Sequence, residues 1–263
     1  MKTDCNTESD YTHLMYVVDG KALSQFLKSI SALVNDCRLT LNVDGSWLVC
    51  QADAAKTTLI RAELSNEDCI NLLTPLEHTV TIGLADIGRF KPIISKIGKF
   101  SSVIVVFKKE VTHQVVRFMI GLMEFSFTTN DYVTVPKSRK VPDICPSDTF
   151  TVAGVHFKEH MKRVMKYTCT DLWYHDRQLT LISRNIDEDE TNSSKYTVEV
   201  VGGSKDFRSN LGMTFLKPTV KSLPNTDVTL YLGNDMNVAF KIETPKGSSM
   251  MYYIAPRVER KRY

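Results

Sequence analysis

A unit of one helix followed by a pair of strands recurs along the chain, and this repetition restricts the possible folds more than any other sequence feature. In the first copy, apolar residues recur at helical spacing over residues 21–35 and predict an amphipathic helix. The alternating residues 38–43, the turn pair Asp44-Gly45 and residues 47–50 then predict a β-hairpin. The predicted unit is therefore a helix, a strand, a turn and a strand.

The second half of the chain repeats this order. Residues 157–166 have helical periodicity, and residues 169–174 and 179–183 predict two strands around the His175-Asp176 turn. Two further copies each have a Lys-Pro pair, a later lysine and then a strand. Their prolines, Pro92 and Pro218, suit the start of a helix or a kink within it. This recurrence indicates an internal duplication.

An irregular segment separates the two halves. Between residues 129 and 148 the chain has three prolines and a basic cluster without sustained periodicity, which is typical of a linker. We therefore predict an N-terminal domain at residues 1–130, a connecting linker at 131–148 and a C-terminal domain at 149–263. Predicted strands outnumber helices by about three to one, so the expected fold class is α+β, with two similar domains.

The composition is that of an ordinary globular protein. The chain has 263 residues, 43% of them hydrophobic, and no run approaches the roughly 20 apolar residues that a membrane span needs. None of its six cysteines has CxxC spacing, so reduced thiols are expected, and those in or beside apolar runs should be buried. These features predict an intracellular protein without a membrane partner. The thiols expected to be buried are Cys37, Cys50, Cys69 and Cys169.

Positive charge is concentrated in the predicted helices. The helical spans 21–35, 86–99, 157–166 and 213–222 carry a net charge of +10, whereas the whole chain carries +3. If their apolar stripes pack on a sheet, the basic side chains form one positive surface on the other side. Such a surface suits the phosphates of duplex DNA independently of base sequence, although lysines are also common on exposed helix faces. The candidate DNA-binding residues are Lys21, Lys28, Arg89, Lys91, Lys96, Lys99, Lys158, Lys162, Arg163, Lys166, Lys217 and Lys221.

No arrangement of residues predicts catalysis. The sequence lacks the GxxxxGK[ST], GxGxxG and GxSxG motifs. His156 and His160 have a spacing that can hold a metal on a helix, but no third ligand accompanies them. The acidic run at 187–190 is contiguous, which favours a solvated loop over a two-metal site. We predict a non-enzymatic protein without a cofactor or metal; the alternative is an enzyme with an unrecognised active site.

The end of the chain carries the most specific motif. Residues 252–259 read Tyr-Tyr-Ile-Ala-Pro-Arg-Val-Glu, which resembles the Tyr-Tyr-Leu-Ala-Pro-Lys-Ile-Glu type motif in the last strand of the proliferating cell nuclear antigen family of DNA sliding clamps. The first helix, the glycine-turn hairpin, the central linker and the two-half repeat resemble the same family. The resemblance implies a homotrimeric ring around duplex DNA, with two helices of each domain lining the hole and antiparallel sheets forming the outer wall.

The resemblance also implies partners and sites. The family tethers DNA polymerase and other replication or repair proteins through short peptide motifs, and a clamp loader opens the ring. Ring closure pairs two edge strands of neighbouring subunits; the alternative is that both are ordinary internal strands. The matching peptide-docking positions are Ala52, Leu59, Ile144, Pro146, Tyr253, Ala255 and Pro256. The matching interface positions are Val115, Arg117, Met119, Tyr196 and Val198.

Some positions depart from the family pattern. The linker carries Lys137, Arg139 and Lys140 where the family is usually more acidic, and two of the helices hold a proline. These departures predict a divergent member, such as a viral one, acting in the nucleus or in a viral or cytoplasmic replication compartment. The competing hypothesis is a monomeric or heteromeric clamp-like factor that binds DNA and serves as a checkpoint or transcription platform.

Overall fold

In the part of the chain that the structure describes, the first half folds into nine strands and two α-helices. The computed structural model describes residues 13–110, 113–129, 135–137, 141, 148–164, 166–185, 193–203, 206–232 and 237–257. The elements of the first half are β1 (His13–Asp19), α1 (Gly20–Leu33), β2 (Cys37–Leu41), β3 (Trp47–Ala52), β4 (Thr58–Leu64), β5 (Asn71–Leu72), β6 (Val80–Leu84), a 3₁₀ helix (Ile87–Phe90), α2 (Lys91–Ile97), β7 (Ser102–Lys109), β8 (Gln114–Ile120) and β9 (Met123–Thr129).

The described residues of the second half repeat this arrangement with nine further strands and two helices. Strands and helices follow one another in nearly the same order as in the first half. The elements are β10 (Asp148–Ala153), α3 (Gly154–Arg163), β11 (Cys169–His175), β12 (Gln178–Arg184), β13 (Ser194–Glu199), β14 (Val201–Gly202), β15 (Phe207–Gly212), α4 (Met213–Ser222), β16 (Asp227–Leu232), β17 (Val238–Glu243) and β18 (Ser249–Ile254).

The helices begin and end where local chemistry directs them. The Asp19 carboxylate caps α1 by accepting the amides of Lys21 and Ala22 at 2.9 and 3.0 Å. Pro92 lies in the first turn of α2, as its missing amide favours, whereas Pro218 lies inside α4. The predicted span 86–99 is divided into a 3₁₀ helix and α2, and α3 starts about one turn earlier than the periodicity predicts.

Antiparallel sheets of five, nine and four strands carry the fold. The five-stranded sheet has the order β5-β1-β7-β8-β9, and the four-stranded sheet has the order β13-β12-β11-β15. The nine-stranded sheet has the order β14-β10-β16-β17-β18-β4-β3-β2-β6, so it contains strands of both halves. The α+β prediction, with four helices and antiparallel sheets, is confirmed.

Corresponding positions in the two halves show the duplication in detail. Gly20 and Gly154 each follow the first strand of their half and begin a helix. A Cβ atom at Gly20 would lie 2.2 Å from the Phe100 carbonyl oxygen, and one at Gly154 would lie 2.3 Å from the Pro224 carbonyl oxygen. Any side chain at either position would therefore collide with backbone. The same close contact between the first glycine of a helix and a backbone carbonyl therefore occurs in both halves.

The halves join through one pair of strands and one pair of helices. β18 pairs with β4 in the register Met250↔Ala62. Beside this junction, the Gln25 side chain of α1 donates to the Ser222 carbonyl of α4 at 3.0 Å. Ser222 Oγ in turn donates to the Tyr252 hydroxyl at 2.6 Å. The continuous sheet and these buried contacts hold the two halves together.

One large apolar core lies between the helices and the sheets. It contains the buried faces of all four helices, and Trp47, Tyr16 and Phe107 form an aromatic group in its first half with ring centroids 5.2 to 6.1 Å apart. The four described cysteines, Cys37, Cys50, Cys69 and Cys169, are buried thiols, as predicted. Within the described residues, no helix is long and apolar enough to span a membrane.

Candidate functional site

The four helices form one layer that carries the predicted basic residues. Neighbours pack in the order α2, α1, α4, α3. Their apolar sides belong to the core, so their polar sides face away from the sheets. All twelve candidate DNA-binding residues are exposed or half-buried on this layer or at its helix ends. The structure therefore brings together the residues that the sequence predicted as a positive surface.

The charges on this layer are not equivalent. Arg89 forms an exposed ion pair with Asp86 at 2.6 Å, and Lys162 forms one with Glu159 at 2.9 Å. Lys96 lies over the Phe125 ring, 5.1 Å from its centroid, at one end of the layer. Ion pairing reduces the charge that Arg89 and Lys162 present to an external anion, whereas Lys28, Lys91 and Lys221 form no ion pair within the described residues.

An apolar cluster lies on the opposite face of the nine-stranded sheet. A cross-strand row runs through Tyr231, Ala239, Tyr253, Leu59 and Ala52, each paired with the next across adjacent strands. Successive side chains of a strand point to opposite faces, and the neighbours of these residues in β4 and β18 belong to the main core. The row therefore faces away from the helices. Its buried members cluster with Cys50 and with the partly buried Val141 and Met251.

Three of the predicted peptide-docking residues meet in this apolar cluster. Ala52, Leu59 and Tyr253 belong to it, and the half-buried Ala255 and Pro256 continue the chain directly after β18. The Ala255 amide donates to the Thr57 carbonyl at 2.9 Å, which fixes this segment beside the hairpin of β3 and β4. Ile144 and Pro146 lie outside the described residues.

The other members of the cluster were not predicted from the sequence. Cys50, Tyr231, Ala239 and Met251 have the same outward alternation, but their proximity depends on the register of strands far apart in the chain. A linker residue, Val141, also packs there. The alternation was visible in the sequence, whereas the pairing of β18 with β4 was not.

The predicted interface strand of the first half is not an edge strand. β8, which contains Val115, Arg117 and Met119, pairs with β7 on one side and β9 on the other. Its backbone hydrogen bonds are therefore used within the chain, and the edge strand on this side of the sheet is β9. In the second half, β13, which contains Tyr196 and Val198, is an edge strand as expected.

The chain is similar to known proteins in sequence and in fold. No protein-family model matches the chain. A DNA polymerase sliding clamp of Methanocorpusculum labreanum is 27% identical over 254 residues, covering 94% of this chain and 99% of the relative. The chain is therefore similar to a DNA polymerase sliding clamp over nearly its whole length. Its C-terminal motif, its duplicated halves and its basic helical layer agree with that similarity.

Solved clamp structures share the fold. The A. fulgidus PCNA bound to the C-terminal region of FEN-1 aligns with a TM-score of 0.77 at 17% identity, covering 94% of this chain and all of that one. The Entamoeba histolytica proliferating cellular nuclear antigen aligns with a TM-score of 0.77 at 12% identity, covering 93% of this chain and 99% of that one. A Sulfolobus tokodaii PCNA2–PCNA3 complex aligns with a TM-score of 0.73 at 16% identity, covering 94% and 100%.

Two histidines of α3, His156 and His160, form polar contacts with the neighbouring strands. His156 Nδ1 lies 2.9 Å from the Tyr196 hydroxyl, and the Arg163 guanidinium lies over the same ring. His160 is fully buried, with Nε2 2.7 Å from Ser183 Oγ. Burial and the nearby Arg163 charge lower the pKa of His160 to about 4, so its imidazole is neutral at neutral pH.

Those contacts do not make a metal centre. Among the described residues, no group of three His, Cys, Asp or Glu side chains converges in a way that could hold a metal ion. His160 hydrogen bonds to a serine, and Ser183 continues the network to Thr170 Oγ1 at 2.6 Å. His156 therefore positions α3 against the edge strand β13, and the buried His160 positions it against β12.

Proposed function

We propose that the chain is one subunit of a homotrimeric DNA sliding clamp that encircles duplex DNA and tethers DNA polymerase and other replication or repair proteins. The single observation that carries this proposal is the pair of open edges left by the duplication. In the repeat, β9 corresponds to β18 and β13 corresponds to β4. β18 and β4 pair within the chain, whereas β9 and β13 are both at sheet edges. Head-to-tail pairing of β9 with β13 of another copy would repeat the internal junction and close a ring.

The repeat also sets the register of β9. Ile120 pairs with Met123 in the hairpin of β8 and β9. Ile242 pairs with Met250 in the corresponding hairpin of β17 and β18. Because Ile120 and Ile242 are the last buried core residues of corresponding strands, Met123 takes the position of Met250.

The register of β13 follows in the same way. Val49 of β3 pairs with Ala62 of β4, and Leu181 of β12 pairs with Tyr196 of β13. Val49 and Leu181 are equivalent core residues at 0% and 1% relative exposure. Tyr196 therefore takes the position of Ala62.

The joint between subunits then has a specific register. Met250 opposes Ala62 inside the chain, so Met123 would oppose Tyr196 of the next copy, and Glu124 would oppose Lys195. Glu124 and Lys195 are both exposed, and opposite charges facing each other across a strand pair stabilise it. The exposed Leu122 and Met123 at the hairpin tip would be covered in this joint.

The basic layer supports the DNA-binding part of the proposal. A ring built this way would turn the helices of every subunit to the same side, and their cations would face the phosphates of the enclosed duplex without reading bases. Weak, sequence-independent contacts permit movement along DNA while the closed ring prevents escape. This role is non-enzymatic, and it places the protein in an intracellular replication compartment, nuclear, viral or cytoplasmic.

The apolar cluster is the proposed docking site for partner peptides. It presents Tyr253 and its cross-strand neighbours on the face opposite the helices, where a partner would not obstruct the DNA. An aromatic or aliphatic anchor of a short partner motif would bury against it. The solved relative described as bound to the C-terminal region of FEN-1 supports this mode of partner binding. A clamp loader would open the ring.

The second candidate function is a monomeric or heteromeric clamp-like factor. It would use the same basic layer and leave β9 and β13 for a different partner chain.

The test of the first candidate is retention on closed circular DNA after loading, with release when the circle is cut, together with stimulation of a polymerase. Reversing the charge of Lys28, Lys96, Lys162 and Lys221 together should abolish stimulation without unfolding the protein. Unchanged stimulation would contradict the DNA-facing assignment.

A further inference from the structure

One arginine of β2 holds the linker that connects the two halves. The guanidinium of Arg38 donates to the Val135 carbonyl from both Nε, at 3.1 Å, and Nη2, at 3.0 Å. A carbonyl oxygen has two lone pairs, so it can accept both N–H groups at once. Hydrogen bonds from a charged donor are stronger than those between neutral groups, and these join residues 97 positions apart in the chain.

Arg38 lies on the same face of the nine-stranded sheet as the apolar cluster. In β2, Cys37 and Leu39 are buried in the main core, and the half-buried Arg38 between them belongs to the other face. Leu39 pairs with Val49 of β3, which also belongs to the main core, and the next residue of β3, Cys50, belongs to the apolar cluster. Arg38 therefore extends from the strand that neighbours the cluster.

The backbone of Val135 is fixed outside the apolar core. Its relative exposure is 3%, but among the described residues it belongs to neither the main core nor the apolar cluster. Because Arg38 is itself half-buried, water competes only in part for the hydrogen bonds between them. Removing the guanidinium would leave the Val135 carbonyl without these two donors, which is unfavourable for a buried acceptor.

A proline directly after the anchored carbonyl stiffens the chain there. The Val135 carbonyl and the Pro136 nitrogen lie in one peptide plane, so fixing the carbonyl also fixes that plane. Proline holds its own φ near about −65° and restricts the residue before it to extended conformations. Arg38 therefore sets the direction in which the linker continues to the exposed Lys137.

A second point of the linker contacts the proposed docking site itself. The partly buried Val141 packs against the apolar cluster that contains Leu59 and Tyr253. The contact at Val135 and the contact at Val141 are six residues apart. Six residues of fully extended chain reach only about 20 Å, so the position of the first contact limits where the second can form.

We propose that Arg38 is a positioning residue of the peptide-docking site: by holding the Val135 carbonyl, it directs the linker so that Val141 forms a wall of the site beside Tyr253. This inference rests on the proposed docking function and deepens it. Arg38 acts through the linker and not by contact with the anchors of the peptide. A site that is formed before binding loses less conformational entropy when the peptide docks, so the anchor raises affinity mainly by slowing dissociation.

The test measures peptide affinity and linker position in the same variants of the whole chain. The probe is a fluorescein-labelled synthetic peptide with the sequence of the C-terminal region of FEN-1, the segment bound to the A. fulgidus PCNA. Arg38→Ala should raise the dissociation constant about tenfold. Arg38→Lys keeps the charge but cannot form the fork, so its affinity should fall between the two. The matched control is Thr40→Ala, a half-buried position two residues farther along the same face of β2, which should bind as the wild type does.

Methyl NMR of the valines reports the linker position without any peptide. In Arg38→Ala the signals of Val141 should shift together with those of Val135, although six residues separate the two contacts. The signals of Val152, which is buried in the core of the second half, should stay in place. A role of Arg38 in overall stability alone would change the urea midpoint of unfolding and leave the Val141 signals unchanged.

Each outcome decides the proposal. Wild-type affinity in Arg38→Ala, an equal loss in Thr40→Ala, or weaker binding with unchanged Val141 signals would overturn the positioning role while leaving the docking site in place. If Arg38→Ala does not fold, Arg38→Lys carries the same two measurements, and wild-type values in both would overturn the role. A wild-type protein that does not bind the peptide would instead contradict the docking site of the proposed function, and this inference with it.

Discussion

Exchanging the charges of Glu124 and Lys195 tests the proposed joint most specifically. Glu124→Lys should place two cations opposite each other at every joint of the ring, and Lys195→Glu should place two anions there. Both single variants should weaken the trimer. The double variant, Glu124→Lys/Lys195→Glu, restores opposite charges and should recover most of the lost association. Neither residue contributes to the apolar core, so folding of the isolated chain should not change.

The expected magnitude follows from the exposure of the pair and the number of joints. An exposed pair of opposite charges across two strands contributes roughly 0.2 to 1 kcal/mol, and like charges are unfavourable by a similar amount. Replacing attraction by repulsion should therefore cost about 1 kcal/mol per joint. Three joints give about 3 kcal/mol per ring, or roughly a hundredfold change in the trimer association constant. The ion pair of Glu124 with Arg117, at 3.6 Å, is lost in the two variants that carry Glu124→Lys and reduces the recovery in the double variant.

Sedimentation equilibrium at low and high salt is the suitable assay. The difference between the single variants and the wild type should shrink at high salt, because exposed charges are screened. Glu124→Gln and Lys195→Gln serve as neutral controls and should fall between the wild type and the charge reversals. Trimer stability that is unchanged in both reversals, or a double variant weaker than either single variant, would refute the register derived from the repeat.

Two further predictions concern the docking cluster and the buried histidine. Tyr253→Ala, alone or with Pro256→Ala, should weaken binding of a partner peptide by about 2 kcal/mol, roughly 30-fold, with Tyr253→Phe near wild type; intact affinity in calorimetry would move the docking site elsewhere. For His160, the unfolded chain binds a proton near pH 6.5, whereas the folded chain resists protonation until about pH 4. Stability should therefore fall as pH drops from about 7 to 4.5, by roughly 2 to 3 kcal/mol from this group, and His160→Gln should remove that part in urea titrations. An identical pH dependence in the variant would contradict this assignment.

The sequence predicted the elements well where the signal was local. The stripe of apolar residues and the cap at Asp19 determine α1, so its span was predicted to within about two residues at each end. α3 was placed late because its periodicity begins at Phe157, whereas the helix begins at Gly154, whose amide is held by the Thr226 carbonyl at 2.8 Å. That contact joins residues distant in the chain, and periodicity does not report it.

Prediction of the sites was limited by the order of strands in the sheets. β8 and β9 both alternate in the manner of amphipathic strands, so the sequence could not show that β9 forms the edge and β8 does not. Ala52, Leu59 and Tyr253 were predicted from the family resemblance. Ala239 and Met251 were not, because only the strand register places them beside these residues. The basic layer was predictable because its signal, charge on one side of each helix, is local.

The most direct test of the ring is the native mass in solution, measured by light scattering over a range of concentrations. The account predicts a stable particle of three chains of 29.8 kDa each, dissociating only on dilution. A chain that remains monomeric at all concentrations would contradict the encircling mechanism and would leave β9 and β13 without the proposed partner.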